Sequence, residues 1–117
     1  MGRRARERGR VKAPPSEYHS AGGEGVLTLR GALTPATRRE YAAVLHDQGR
    51  STEDSWQRAV EFLFERLAVR WEIDGVPAED QRELLGRFRM ATQDERRFVR
   101  DALREHLAGH FPDVEAP

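Results

Sequence analysis

His106 and His110 stand four residues apart, a spacing that can present two imidazoles of one helix to a single metal ion. Zinc asks for three or four ligands, and Glu105 and Asp113 are the only local oxygen donors. Gly109 is placed to end the helix between the two rings. A histidine near a helix C-terminus, where positive charge is favoured, is the simpler reading, and no metal is expected. The carboxylate pairs Glu53/Asp54, Glu79/Asp80 and Asp94/Glu95 each fall in the first turn of an expected helix. There the helix dipole accounts for them without acid–base catalysis. The glycines at 22, 23, 25 and 31 precede no Lys-Ser/Thr, so they form no phosphate loop, and no serine lies in a nucleophile elbow. There is no cysteine, which removes disulfides, thiol chemistry and Cys-based zinc sites. These residues point away from an enzyme and toward no cofactor.

What remains is chemistry of contact. Val69, Trp71 and Ile73 alternate with Arg70, Glu72 and Asp74, as in a short half-buried strand that stops at Asp74-Gly75. If that strand lies at an edge, it offers unpaired backbone groups to another chain. Phe62 and Phe64 fall beside the main stripe of the preceding helix and widen its apolar surface. Val69, Trp71, Ile73, Phe62 and Phe64 are therefore the candidate partner-binding residues. Trp56 is assigned to the core, and Trp71 reads equally as a core residue or as a contact on an edge strand.

A second set is basic. Arg3, Arg4, Arg6, Arg8, Arg10 and Lys12 face one acidic residue, Glu7, so residues 1–12 carry a net charge of +5. Residues 13–117 hold 14 basic and 19 acidic residues, a net charge of −5. Clustered arginine neutralises phosphate well, and with Arg38 and Arg39 this arm supplies the candidate nucleic-acid contacts. The competing reading is a solvated tail that associates loosely with the acidic body. Arg87, Arg89, Arg96, Arg97, Arg100 and Arg104 are interleaved with Glu83, Asp94, Glu95, Asp101 and Glu105 and read as a salt-bridged face.

Four helices must position these groups. Thr34-Pro35 opens the first, with Tyr41, Val44 and Leu45 on its inner face and Gln48-Gly49 as its stop. Ser51 caps the second, roughly Thr52 to Leu67, whose stripe runs Trp56, Val60, Leu63, Leu67 with Ala59 filling in. This is the central helix. Pro77 starts a third near Ala78, carrying Leu84, Leu85 and Phe88; Gly86 within it costs about 1 kcal/mol relative to alanine. Thr92 and Glu95 form a capping box for the fourth, which runs to about Ala108 and ends at Gly109. Phe111-Pro112 folds back on the core and the last residues fray. Val26–Arg30 alternates between two glycines and pairs with Val69–Ile73 in a two-stranded ribbon.

Residues 1–25 contain little large apolar surface, and they read as a disordered basic tail before a single helical domain at 26–117. The expected fold is mainly α, about four helices around a central one with a minor two-stranded β-ribbon. Apolar residues are 38% and charged residues 34%, which implies a modest core under a charged surface. No apolar run approaches a membrane span and no apolar segment follows the basic N-terminus, so a cytoplasmic protein with no membrane partner is expected.

Residues 26–107 resemble the small tail assembly chaperones of long-tailed bacteriophages and prophages. The likeness lies in a short strand, the Leu33-Thr34-Pro35 helix start, a long helix running into Val69-Arg-Trp-Glu-Ile-Asp-Gly75, and a final helix. It implies a non-enzymatic protein of bacterial host cytoplasm that binds a tape measure protein, shields its apolar segments and helps to recruit tail-tube subunits. Homo-oligomerisation fits helices richer in apolar surface than one small core absorbs. Locally, Leu33-Thr-Pro-Ala-Thr-Arg-Arg-Glu-Tyr41 is similar to the first helix of the core-binding domain of tyrosine recombinases. It implies the alternative, a small DNA-binding accessory protein using its basic arm; no catalytic Arg, His and Tyr set can be placed downstream.

Overall fold

The structure, a computed structural model, describes residues 13–117. The order is β1 (Ser16–His19), β2 (Gly25–Leu29), α1 (Pro35–Leu45), α2 (Thr52–Leu67), β3 (Ala68–Ile73), β4 (Val76–Ala78), α3 (Gln81–Arg89) and α4 (Gln93–His110). The strands form one antiparallel sheet in the order β1-β2-β3-β4. The mainly α expectation with a two-stranded ribbon is therefore corrected: the fold is mixed α/β with a four-stranded sheet. The β2–β3 pair was legible in the alternation. The two outer strands were not, because each is too short to show a pattern.

The β4 strand is made by Asp74-Gly75. Both residues have positive φ, 51° and 81°, in a two-residue loop between Ile73 and Val76. This is the backbone that an Asp-Gly hairpin turn requires. Pro77 thus lies in an edge strand, where its missing N–H does no harm, and Asp80 caps α3 by accepting from the Glu83 N–H at 2.8 Å. On the other side, Ser16–His19 pairs with Val26–Leu29, so this part of the expected tail belongs to the sheet.

Register puts Tyr18, Leu27, Trp71 and Ala78 in one row across the sheet, and Ser16, Leu29 and Ala68 in another. Thr28 pairs with Arg70 but Leu29 with Ala68, which leaves Val69 as the extra residue of a β-bulge. That bulge is why Ala68 and Trp71, three residues apart, both face the core. The helices cover this face alone: α4 packs on β2, α2 on β3, and α3 on β3 and β4. The opposite face carries Glu17, Thr28, Arg70 and Glu72, with Arg70 3.1 Å from both Glu72 and Glu79.

Within α2 the buried residues are Ser55, Ala59, Val60, Leu63, Phe64 and Leu67. Ala59, Val60, Leu63 and Leu67 of the expected stripe are buried, and Trp56 is corrected from core to surface at 52% exposed. Phe64 takes the interior instead, stacked on Phe88 (4.9 Å) and edge-on to Trp71 (5.6 Å). α4 runs through Gly109 to His110, beyond the expected stop. The C-terminal segment is pinned to α1. Tyr41 donates to the Glu115 carbonyl at 2.6 Å, Arg38 pairs with Asp113 at 3.0 Å, and His46 lies 2.9 Å from Glu115. Among the described residues no helix is long and apolar enough to cross a membrane.

Candidate functional site

The two edges of the sheet are built differently. At β4 the strand is three residues long and contains Pro77. Val76 and Ala78 pair with β3, so the β4 residue whose backbone points outward is Pro77, which has no N–H. Arg87 ties β3 to β4, donating from one guanidinium nitrogen to the carbonyls of Trp71 (2.6 Å) and Val76 (2.8 Å). Short length and proline are how proteins close an edge. At β1 no described strand lies outside. The Ser20 N–H donates back to the Gly25 carbonyl at 2.9 Å. By alternation along an antiparallel pair, the backbone groups of Ser16 and Tyr18 also point to β2, and those of Glu17 and His19 point outward.

β1 is held at this edge by α4. Tyr18, on the core face, donates its hydroxyl to Nδ1 of His106 at 2.7 Å, and Nε2–H of His106 donates to the Arg30 carbonyl at 2.6 Å. His106 is fully buried, and burial lowers its pKa, the Arg30 hydrogen bond opposing this and nearby His110 adding to it. Burial likewise raises the pKa of the Tyr18 phenol. Further along, Ser16 Oγ lies 3.1 Å from His110 Nε2 on the surface. The sequence pairing of His106 with His110 therefore survives as ring contact, centroids 4.4 Å apart, while both nitrogens of His106 are committed to protein partners. Among the described residues no cluster of three or more His, Cys, Asp or Glu is placed to hold a metal. The Ser16–His110 contact has the separation of a nucleophile and base, but the third group around it is the His106 ring and not a carboxylate that could orient the base.

Between β1 and α4 runs a groove of about 690 Å³. Glu17, Glu24, Asp94, Asp101 and Glu105 line it against Arg97 and against His19, which lies 3.7 Å from Glu17, with Tyr18, Phe98 and Ala102 contributing apolar surface. Asp94 lies 3.8 Å from Arg97, and Asp101 3.9 Å from Arg100. Glu24 and Glu105 have no cation within ion-pair distance among the described residues. Carboxylates concentrated along a concave wall sum to a field that attracts cations. A second groove, against α2 beside Phe62 and Phe88, contrasts with it: Asp54 pairs with Arg50 (3.3 Å) and Arg58 (3.1 Å), and Glu61 near it with Arg89 (2.8 Å). There the charges satisfy one another.

The sequence-derived contact residues are scattered. Trp71 (1% exposed) and Phe64 are core residues, and β3 is paired on both sides, so it offers no free edge. Val69 is the bulge, Ile73 is half-buried beside the Asp-Gly turn, and Phe62 is half-buried between Tyr41 and the guanidinium of Arg66, 4.5 Å from its ring. Of the basic candidates, Arg38 is engaged with Asp113 and lies 5.2 Å over the Phe111 ring, and Arg39 is exposed. Arg3, Arg4, Arg6, Arg8, Arg10 and Lys12 lie outside the described residues. The open edge was missed because Ser16-Glu-Tyr-His19 looks polar; the alternation of Tyr18 between Glu17 and His19 was its only signal.

No protein-family model matches this chain, and neither the curated proteins nor the solved structures yield a significant match.

Proposed function

We propose that this protein is a binding module for an extended basic segment of another protein, which adds to the sheet as a fifth strand beside β1. The observation that supports it most is the pairing of an open edge with an acidic wall: the outward backbone groups of Glu17 and His19 lie along a groove bearing five carboxylates and one arginine. Strand addition supplies main-chain hydrogen bonds, and the groove selects lysine- or arginine-rich sequences. With Pro77 at the β4 edge, β1 is the side of the described sheet to which a strand can add.

The tail assembly chaperone is the specific form of this reading. There the bound segment belongs to a tape measure or tail-tube protein, and the resemblance over residues 26–107 is what supports it. Chemistry on a substrate has no role in this proposal.

Titration of the isotope-labelled protein with a ten-residue peptide alternating arginine and valine tests the binding. Amide shifts are expected along Ser16–His19, with affinity falling roughly ten-fold as salt rises from low to physiological strength. Shifts confined to the opposite sheet face, or an affinity indifferent to the double substitution E17Q/E105Q, would overturn it.

A further inference from the structure

At the hairpin end of the groove, beyond β1, is a separate cavity of about 230 Å³. It adjoins the groove, sharing Ser20, Glu24, Asp94 and Phe98 with its lining. Its apolar walls are Trp71, Ile73 and Phe98, and Asp74 stands with Glu24 and Asp94 among its polar groups. A space of this size is below that of pockets for drug-sized molecules and suits one long side chain. Aromatic walls and carboxylates together are what a guanidinium asks for. Its planar face stacks on a ring, its fork of donors meets carboxylate oxygens, and its alkyl stem lies on apolar surface. Trp71, 1% exposed, forms part of the wall, and its indole N–H is buried without a hydrogen-bond partner among the described residues.

We infer that this cavity is a socket for one arginine side chain of a peptide lying in the groove, and that in the isolated protein the arginine comes from the chain's own residues 3–10. This rests on the strand-addition reading above. The charges match: the arm carries +5 and the remainder of the chain −5. So does the reach. Ala13 lies at the far end of the sheet, where a β-carbon on Gly31 would come within 2.9 Å of its carbonyl oxygen. The 12 residues before it span up to about 40 Å when extended. The β1 strand that they must pass is only about 13 Å long. The arm therefore competes with a partner for the same socket, and a partner binds by displacing it.

Trp71 supplies the readout. In full-length W56F it is the sole tryptophan. A second full-length chain adds serine in place of Arg3, Arg4, Arg6, Arg8 and Arg10. A synthetic peptide copying residues 1–12 should change Trp71 emission saturably in this arm-neutral chain. Binding should weaken roughly ten-fold in E24Q/D94N, as expected for lost charge-assisted hydrogen bonds, and at least ten-fold when the native arm is present. Amide shifts at Thr92–Phe98 between the native and arm-neutral chains, with both tryptophans kept, give the same answer without W56F. A peptide that moves β1 amides but not Trp71, and ignores E24Q/D94N, overturns the socket while leaving strand addition standing. Equal affinity with and without the native arm overturns the arm as occupant. A native chain that sediments as a dimer, and an arm-neutral chain that does not, overturns the intramolecular assignment in favour of a second copy's arm.

Discussion

The hydroxyl of Tyr18 on β1 donates to Nδ1 of His106 on α4 across 2.7 Å, joining residues 88 apart in sequence. Nε2–H of the same ring is spent on the Arg30 carbonyl, which fixes the neutral tautomer with Nδ1 as acceptor. The edge strand is thus fastened to the last helix by a buried imidazole with both nitrogens in use.

Replacing Tyr18 by phenylalanine leaves that nitrogen buried without a donor. Y18F should lose about 1–3 kcal/mol by chemical denaturation. Hydrogen exchange at Ser16–His19 should accelerate more than exchange in β2. Uniform acceleration across the sheet would show that Tyr18 does not fasten the edge.

Acid should release the same fastening. The unfolded imidazole titrates near pH 6.5 and the folded one lower, because burial disfavours its charged form. As pH falls below about 6.5 the unfolded chain takes up a proton that the folded chain does not, and stability drops until the folded ring titrates too. Above that pH the contribution is fully present. The wild-type melting temperature should therefore fall between pH 7.5 and about 5.5. In H106Q, which is less stable throughout, this part of the slope should disappear; parallel curves would assign the acid response elsewhere.

Trp56 and Phe64 of α2 should behave oppositely to their order in the stripe. Trp56 is half-exposed and Phe64 fully buried against Phe88 and Trp71. W56A should change stability by less than about 0.5 kcal/mol, as surface substitutions do. F64A should cost about 3–5 kcal/mol. Urea denaturation of both variants, followed by circular dichroism, decides it.

Arg87 should matter through geometry more than charge. Its guanidinium reaches two backbone carbonyls at once, those of Trp71 and Val76. R87M keeps much of the stem and removes both donors, and should cost about 1–3 kcal/mol with fraying of Val76–Ala78. R87K restores one donor group at best and should fall between. If exchange protection at β4 is unchanged in R87M, Arg87 does not hold β4 to β3.

The helices were legible because their signals are local. Thr34, Ser51 and Thr92 cap through side-chain oxygens three residues from their partners, and Thr92 with Glu95 completes the box that their spacing announces. The β2–β3 pair was legible for the same reason, since alternation between punctuating residues is a property of a few neighbours. Asp74-Gly75 also held the β3–β4 hairpin in two residues, although it reads equally as the end of a strand.

Assembly across the chain decided the remainder. That Phe64 and not Trp56 joins the buried stripe of α2 depended on the fit of Phe64 against Phe88 and Trp71, and periodicity does not say which flank of a stripe its neighbours cover. Ser16–His19 became a strand because Leu27 and His106 stand ready for Tyr18, and neither is near it in sequence. The groove exists only because Glu17 and Glu24 meet Asp94, Asp101 and Glu105 from some 70 residues away in the chain. A sequence states how many charges a protein carries; the field at any point depends on distances between them, and those are set when the core closes.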